Sequence, residues 1–353
     1  MERDGRPRHR RPGPPTGRTA RLTRAAEDAV AEGSGGWDDT GLMNPNVPYA
    51  VATEPPLRRT HVRYHVEHIT SYAYSEPVPV CHNEIHLVPR ALPRQRIFAN
   101  AITVTPSPAS LSTHTDAFGN TVGYFSIQEP HEQLTVTSSS SVEVITPEPW
   151  ETLPERAWEQ LRDDLDRAPG PDALHAKQFR FESPLVHTLE PLGSWAAESF
   201  PPGRPWAEAV VELTRRIFND FVYDPAATTT STPVEEVFRL RRGVCQDFAH
   251  LQIACLRSLG LAARYVSGYI ANTRAPGERE LVGADASHAW LSVWGGETGW
   301  LDLDPTNDCV PGNQHVTLGW GRDYADVCPI KGVYVGGGSH SMDVAVHVTP
   351  LDS

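Results

Sequence analysis

The sequence predicts an α+β protein in which an N-terminal β-sandwich-like domain precedes a core made of a helix packed on an antiparallel sheet. Three patterns carry that prediction. Short alternating apolar and polar runs fill residues 61–145, apolar stripes at helical spacing follow to about residue 260, and two aromatic strands then flank the Gly-bounded turn GGETG. With 353 residues, 39% of them hydrophobic, the chain can fill one large core or two ordinary ones.

Residues 1–60 combine Pro, Gly and charge with little periodic apolarity, a composition that cannot offset the entropy of ordering, and are predicted to be a disordered Arg/Pro-rich tail. Residues 1–24 hold eight Arg against Glu2 and Asp4, so the total of -13 places -19 on the rest of the chain. An acidic body argues against nucleic acid as the main partner. No stretch has the apolar run of a secretory signal or the ~18 apolar residues of a membrane span. Cys81, Cys245, Cys255, Cys309 and Cys328 form an odd set with no CxxC pair, which indicates neither a disulfide framework nor a zinc ribbon. The expectation is a reduced, cytoplasmic chain without membrane contact, metal or cofactor.

Residues 61–147 are predicted as the β domain. HVRYHVEHITSYAY, IFANAITVTP, NTVGYFSI and EQLTVTSSSSVEVI are strand-like runs broken by Pro pairs, AFGN and QEPHE. His61, His65 and His68 have helix spacing inside a strand pattern, so these and His82 and His86 are expected at surface or cross-strand positions rather than on a metal.

Residues 148–353 are predicted as the second domain, the helix-and-sheet core. Trp158, Leu161 and Leu165 mark one amphipathic helix, and Trp206, Val210, Leu213, Ile217 and Phe221 mark a longer one. Thr232 and Pro233 start a short helix that Gly243 is expected to stop. In RRGVCQDFAHLQIACLRSLG, the residues Phe248, Leu251, Cys255 and Leu259 form one stripe ended by Gly260. Cys255 therefore reads as an inert core thiol. Cys245 stands at the helix start, where unpaired N–H groups and the macrodipole favour a thiolate. Position alone leaves it either a structural thiol or a nucleophile until a base and an orienting group are found.

After the helix, AARYVSGYI reads as a strand, and SHAWLSVWGGETGWLDLDPTND as a hairpin. His288 opens its first strand and is the candidate base, with Asp302 and Asp304 competing to orient it. A five-residue loop pairs Trp294 with Trp300 and sets Asp304 diagonal to His288; a three-residue turn sets the two directly opposite. Either spacing is within reach of a hydrogen bond. Asp302 gets there only with a one-residue turn, which a chain cannot make, so a regular hairpin favours Asp304. Asp247 reads as support for the helix start. His250 lies about 140° round the helix from Cys245 and reads as packing or surface. Asp285, Asp308, His315 and Asp323 lie near these motifs without a spacing that requires a role, and YVGGGSH is a bend, not a phosphate loop.

The succession GVCQDFAHL, RYVSGY, SHAW and GWLDLDPTN resembles the bacterial transglutaminase-like superfamily, with its papain-like core and Cys-His-Asp triad. SYAYSEPVPVCHNEIHLVPR and DAFGNTVGYFSIQEPHEQLTV are similar to that family's N-terminal β domain, and GWGRDYADVCPIKGVYVGGGSHSMDVAVHV to its close, so the resemblance spans about 61–350. It implies Cys245 as nucleophile, His288 as base and Asp304 as third member. It further implies acyl transfer through a thioester on a peptide or protein amide, with the Cys245 N–H in the oxyanion hole. Relatives of the animal type add an indole N–H upstream, for which Trp206 and Tyr223 are the candidates. The leading expectation is a cysteine hydrolase (peptidase or amidase), ahead of a protein-glutamine gamma-glutamyltransferase and of a noncatalytic binding module.

Overall fold

A computed structural model describes residues 61–271, 281–283 and 287–351 of the chain. The tail predicted over 1–60 and Asp285 lie outside the described residues. Strict alternation in β1 (His61–Val78) and β6 (His131–Ile145) puts Tyr64, Val66, Val136, Val142 and Val144 on buried faces. With β3 (Gln95–Thr105) and β14 (His340–Pro350) they form a sheet of order β14-β1-β6-β3. A second sheet has the order β13-β2-β5-β4, from β2 (Val80–Ile85), β4 (Ser110–Thr115), β5 (Thr121–Ile127) and β13 (Ile330–Val335). Val78, Ile85, Phe125, Ile127, Leu134 and Val136 pack between the two as a sandwich core. The C-terminal strands β13 and β14 thus return to the N-terminal β region, with Val346 opposite His68 and Val333 opposite His82.

The second half contains helices α1 (Trp158–Arg167), α2 (Pro171–Lys177), α3 (Glu190–Ala197), α4 (Trp206–Asp220) and α5 (Val234–Leu240). The apolar stripes expected on α1 and α4 are buried: Trp158, Leu161 and Leu165 on the first, Trp206, Val210, Leu213 and Ile217 on the second. Helix α5 ends at Leu240 with Arg241 in the left-handed region (φ 55°), two residues before the stop expected at Gly243. Arg241 occupies this conformation with its guanidinium over the Phe238 and Phe221 rings.

Helix α6 (Cys245–Ser258) is buried from Gln246 to Arg257, not on a single stripe, because α3, α4 and α5 cover the side away from the sheet. Two of its buried polar residues place their donors on neighbouring elements, while Gln252 Oε1 has no partner among the described residues. Gln252 Nε2 donates to Thr214 Oγ1 (2.8 Å), and the Arg257 guanidinium donates to the carbonyls of Phe179, Ala263 and Arg322. Its partner is a sheet of order β11-β10-β9-β12, from β9 (Ala263–Ile270), β10 (His288–Trp294), β11 (Trp300–Leu303) and β12 (His315–Gly321). The hairpin takes the five-residue register, Trp294 opposite Trp300 and Leu291 opposite Leu303. The sandwich is fastened to β12 by Gln95, which exchanges hydrogen bonds with the Thr317 carbonyl (2.7 Å) and N–H (2.8 Å), and by a shared core of Tyr64, Val142, Tyr269, Val316 and Leu318.

Gly268 on β9 is the tightest point of this sheet: a Cβ there would lie 2.2 Å from the Val316 carbonyl oxygen and 2.4 Å from the Trp290 ring. Gly268→Ala is expected to cost roughly 1–3 kcal/mol, read as a lowered midpoint in thermal or denaturant unfolding; an unchanged midpoint would contradict this packing.

Candidate active site

Cys245 is the first residue of α6 and is half-buried. The local chain is shaped to put it there. Val222–Tyr223 and Arg242–Gly243 form a short parallel pair, β7 and β8, with Tyr223 opposite Gly243. Asp247 turns back so that its Oδ2 accepts the Val244 N–H (2.8 Å) and the Thr228 hydroxyl (2.6 Å), which fixes the start of the helix as the sequence suggested. Gly243 permits this, since a Cβ would sit 2.6 Å from Asp247 Oδ2. Burial pushes the Asp247 carboxyl up, against these hydrogen bonds. At Cys245 the first-turn N–H groups and the helix dipole favour negative charge. Cys255, one face away, is 0% exposed, and burial pushes its thiol up to about 12.

His288 opens β10 and is buried, its Nε2 donating to Asp304 Oδ2 at 2.9 Å. That leaves Nδ1, which has no hydrogen-bond partner among the described residues, as the ring atom available to Cys245. The space beside Nδ1 is kept by Gly283 (φ 99°), where a Cβ would come within 2.6 Å of it. Trp290 stacks at 6.1 Å from the imidazole and screens it from the sheet side. Burial disfavours the imidazolium, but the negative charges of Asp304 and Cys245 and the hydrogen bond to Asp304 outweigh it and raise His288 to about 10.

Asp304 is fully buried and saturated with donors. Its Oδ2 accepts from His288 Nε2, from Asn307 Nδ2 (2.8 Å) and from His315 Nε2 (3.2 Å), and its Oδ1 accepts the Thr306 N–H (3.0 Å). Burial alone would raise the carboxyl, but the two imidazoles hold it well below the ordinary carboxylate range. His288, Asp304 and His315 also place three potential metal-ligating atoms within 4.8 Å of one another, and these are the atoms that hydrogen-bond to each other.

The structure therefore brings His288 and Asp304 together, and Asp302 goes elsewhere. It accepts from Ser292 Oγ (2.5 Å) and pairs with Arg94 of the sandwich (3.1 Å). Of the two upstream oxyanion candidates, Tyr223 lies beside the helix start; burial, then the Cys245 charge, raises its phenol. Trp206 is 1% exposed and packs on Gly295 at the far end of β10, roughly 20 Å along the strand from His288. His250 is a packing residue whose Nε2 accepts the Tyr324 N–H (3.1 Å), tying α7 (Tyr324–Val327) to α6. Asp323 caps α7 through Ala325 N, and Asp308 pairs with Arg215 (3.6 Å). His315 had no sequence signal beyond its nearness to the motifs, because it reaches Asp304 from β12, across β9.

A buried helix on an antiparallel sheet, with a cysteine at its start and a His–Asp pair on the adjoining strands, defines the papain-like class of fold. The chain belongs to the transglutaminase-like superfamily: residues 195–305 match the model for that superfamily, and residues 64–143 match the bacterial transglutaminase-like N-terminal region. It is 44% identical to an uncharacterized protein of Mycobacterium tuberculosis over 305 residues, 84% of this chain and 95% of that one. It is 29% identical over 144 residues to a protein-glutamine gamma-glutamyltransferase of Pseudomonas aeruginosa, covering 35% of this chain and 22% of that enzyme. A candidate cysteine protease from Cytophaga hutchinsonii shares the fold, with a TM-score of 0.64 and 22% identity over 83% of this chain and 92% of that one. No helix among the described residues is long and apolar enough to cross a membrane.

Because His288 is raised from 6.5 to about 10, its pairing stabilises the fold fully below about pH 6.5, and this contribution is lost as pH rises towards 10. Asp304 acts in the opposite sense, contributing above the ordinary carboxylate range and losing that contribution in acid. Asp304→Asn is expected to lower the His288 titration from about 10 and to weaken the alkaline loss; an NMR titration of the His288 ring still centred near 10 would contradict this.

Proposed function

We propose that the protein is a cysteine-dependent acyl-transfer enzyme that hydrolyses a peptide, isopeptide or side-chain amide through a thioester. The observation that carries this reading is the use of His288 Nε2 by the buried Asp304, which leaves Nδ1 for Cys245. In this reading the proton of Cys245 rests on His288, and the thiolate attacks the amide carbonyl carbon. The resulting oxyanion is held by the Cys245 N–H, with the Tyr223 hydroxyl as the second donor. His288 then gives its proton to the departing amine, the C–N bond breaks, and a thioester remains on Cys245. Water, deprotonated by His288, attacks the thioester, releasing a carboxylic acid and restoring the thiol. Asp304 keeps the imidazole in one tautomer and stabilises its charged form.

Replacement of that water by an amine gives the second reading, a cross-linking glutamyltransferase, which the named Pseudomonas aeruginosa relative favours. A glutamine-bearing peptide incubated with and without a primary amine separates the two. Hydrolysis predicts ammonia release without amine, and release only with amine contradicts the leading reading. Cys245→Ala is expected to abolish both reactions, while Tyr223→Phe is expected to lower kcat by roughly 10–1000-fold with little change in KM. Iodoacetamide labelling of Cys245 at neutral pH no faster than that of Cys255 in unfolded protein would instead favour a noncatalytic module.

A further inference from the structure

We infer that His315 is a positioning residue for this site, a second imidazole that locks the Asp304 carboxylate and through it the aim of His288. The inference rests on the proposed roles of Cys245 and His288 and adds a member to their hydrogen-bond chain. An ionised carboxylate has no proton to give, so every nitrogen facing it supplies one. Asp304 Oδ2 then receives three N–H groups, from Asn307 at 2.8 Å, His288 at 2.9 Å and His315 at 3.2 Å, while Oδ1 is tied to Thr306. With both oxygens engaged, the plane of the carboxylate is fixed.

The two imidazoles give the same atom to the same oxygen, and they differ at the other nitrogen. Nδ1 of His288 is the nitrogen that Asp304 leaves unused, and the Cys245 charge favours the protonated ring. Nδ1 of His315 is buried with no partner among the described residues, and the ring is only 5% exposed. A bare lone pair at that position costs less than an unpaired N–H carrying half of a positive charge. The tautomer that fits this geometry carries its proton on Nε2, so that His315 supplies a donor to Asp304.

Its placement is built by packing. His315 opens β12 opposite Ile270, and Trp290 meets its ring edge-on at 5.2 Å over the side-chain-free Gly268. The same Trp290 stacks on His288, so one indole sets both rings. The other titratable groups around Asp304 are His288 and Cys245 on the side of the thiol and Cys309, whose backbone pairs with that of Asp304.

The test is the rate of Cys245 alkylation by iodoacetamide from about pH 5 to 9 in the full chain, with the imidazole tautomers read by NMR on 15N-histidine-labelled wild-type protein. Wild type is expected to label at Cys245 faster at neutral pH than Cys255 does in unfolded protein. His315→Leu should slow labelling about tenfold, the loss expected for one hydrogen bond to a charged group, and move the acidic edge to higher pH. His315→Gln, which can still donate an N–H to Asp304, should recover most of the rate. Labelling in His315→Leu that matches wild type in rate and pH edge overturns the inference and leaves the thiol reading intact. A wild-type Cys245 that labels no faster at neutral pH than Cys255 in unfolded protein overturns the thiol reading itself. If the Leu variant does not fold, the tautomer decides: a His315 ring that is protonated at Nδ1 at neutral pH overturns the inference, and Nε2–H alone supports it.

Discussion

One buried carboxylate organises this half of the molecule. Asp304 has no exposure to water, and a bare carboxylate in that position is among the most costly groups a protein can bury. The cost is met by four directed donors from three stretches of chain: the strand of His288, the turn of Thr306 and Asn307, and the strand of His315. The hairpin, the turn beyond it and strand β12 therefore have to arrive together. Asn307 extends the same arrangement outward by donating to the Val282 carbonyl and accepting its N–H, beside the Gly283 that clears space for the His288 ring.

The thiol side is built on a different principle. Helix α6 is enclosed by three helices and the sheet, so its first turn is held where Asp247, Thr228 and Gly243 place it. A fixed helix start presents oriented N–H groups without needing to reorganise when negative charge develops nearby. The sandwich contributes indirectly: Gln95 grips Thr317 and Arg94 pairs with Asp302, so β12 and β11 are both braced from outside the core sheet. The return of β13 and β14 to the sandwich pairs them with β2 and β1.

Much of this was legible in the sequence because it follows from periodicity and register. The contrast between Cys245 and Cys255 is a matter of helix position, and the preference for Asp304 over Asp302 comes from counting residues across one turn; the Trp294–Trp300 pairing is the five-residue register of that count. The full burial of α6 was not legible, since its single apolar stripe carries no trace of the helices that cover its other sides. Nor was His315. Its link to Asp304 crosses β9, and nothing local to GNQHVTL signals that a neighbouring strand carries a glycine where Trp290 needs room. The second oxyanion candidate divided for a similar reason: Trp206 has the better side chain for donation and is committed to the Gly295 turn, while Tyr223 is brought to the helix start by a two-residue strand pair.

The account turns on a covalent bond that forms at one sulfur and depends on one ring. The most direct measurement is intact-protein mass spectrometry of the chain mixed with a library of activated acyl peptides and quenched in acid. The account predicts a mass increase equal to one acyl group, mapped to Cys245 by fragmentation, reversed by hydroxylamine and lost in Cys245→Ala and His288→Ala. An acyl group distributed over Cys309 and Cys328 as readily as over Cys245, or its undiminished formation in His288→Ala, would contradict it.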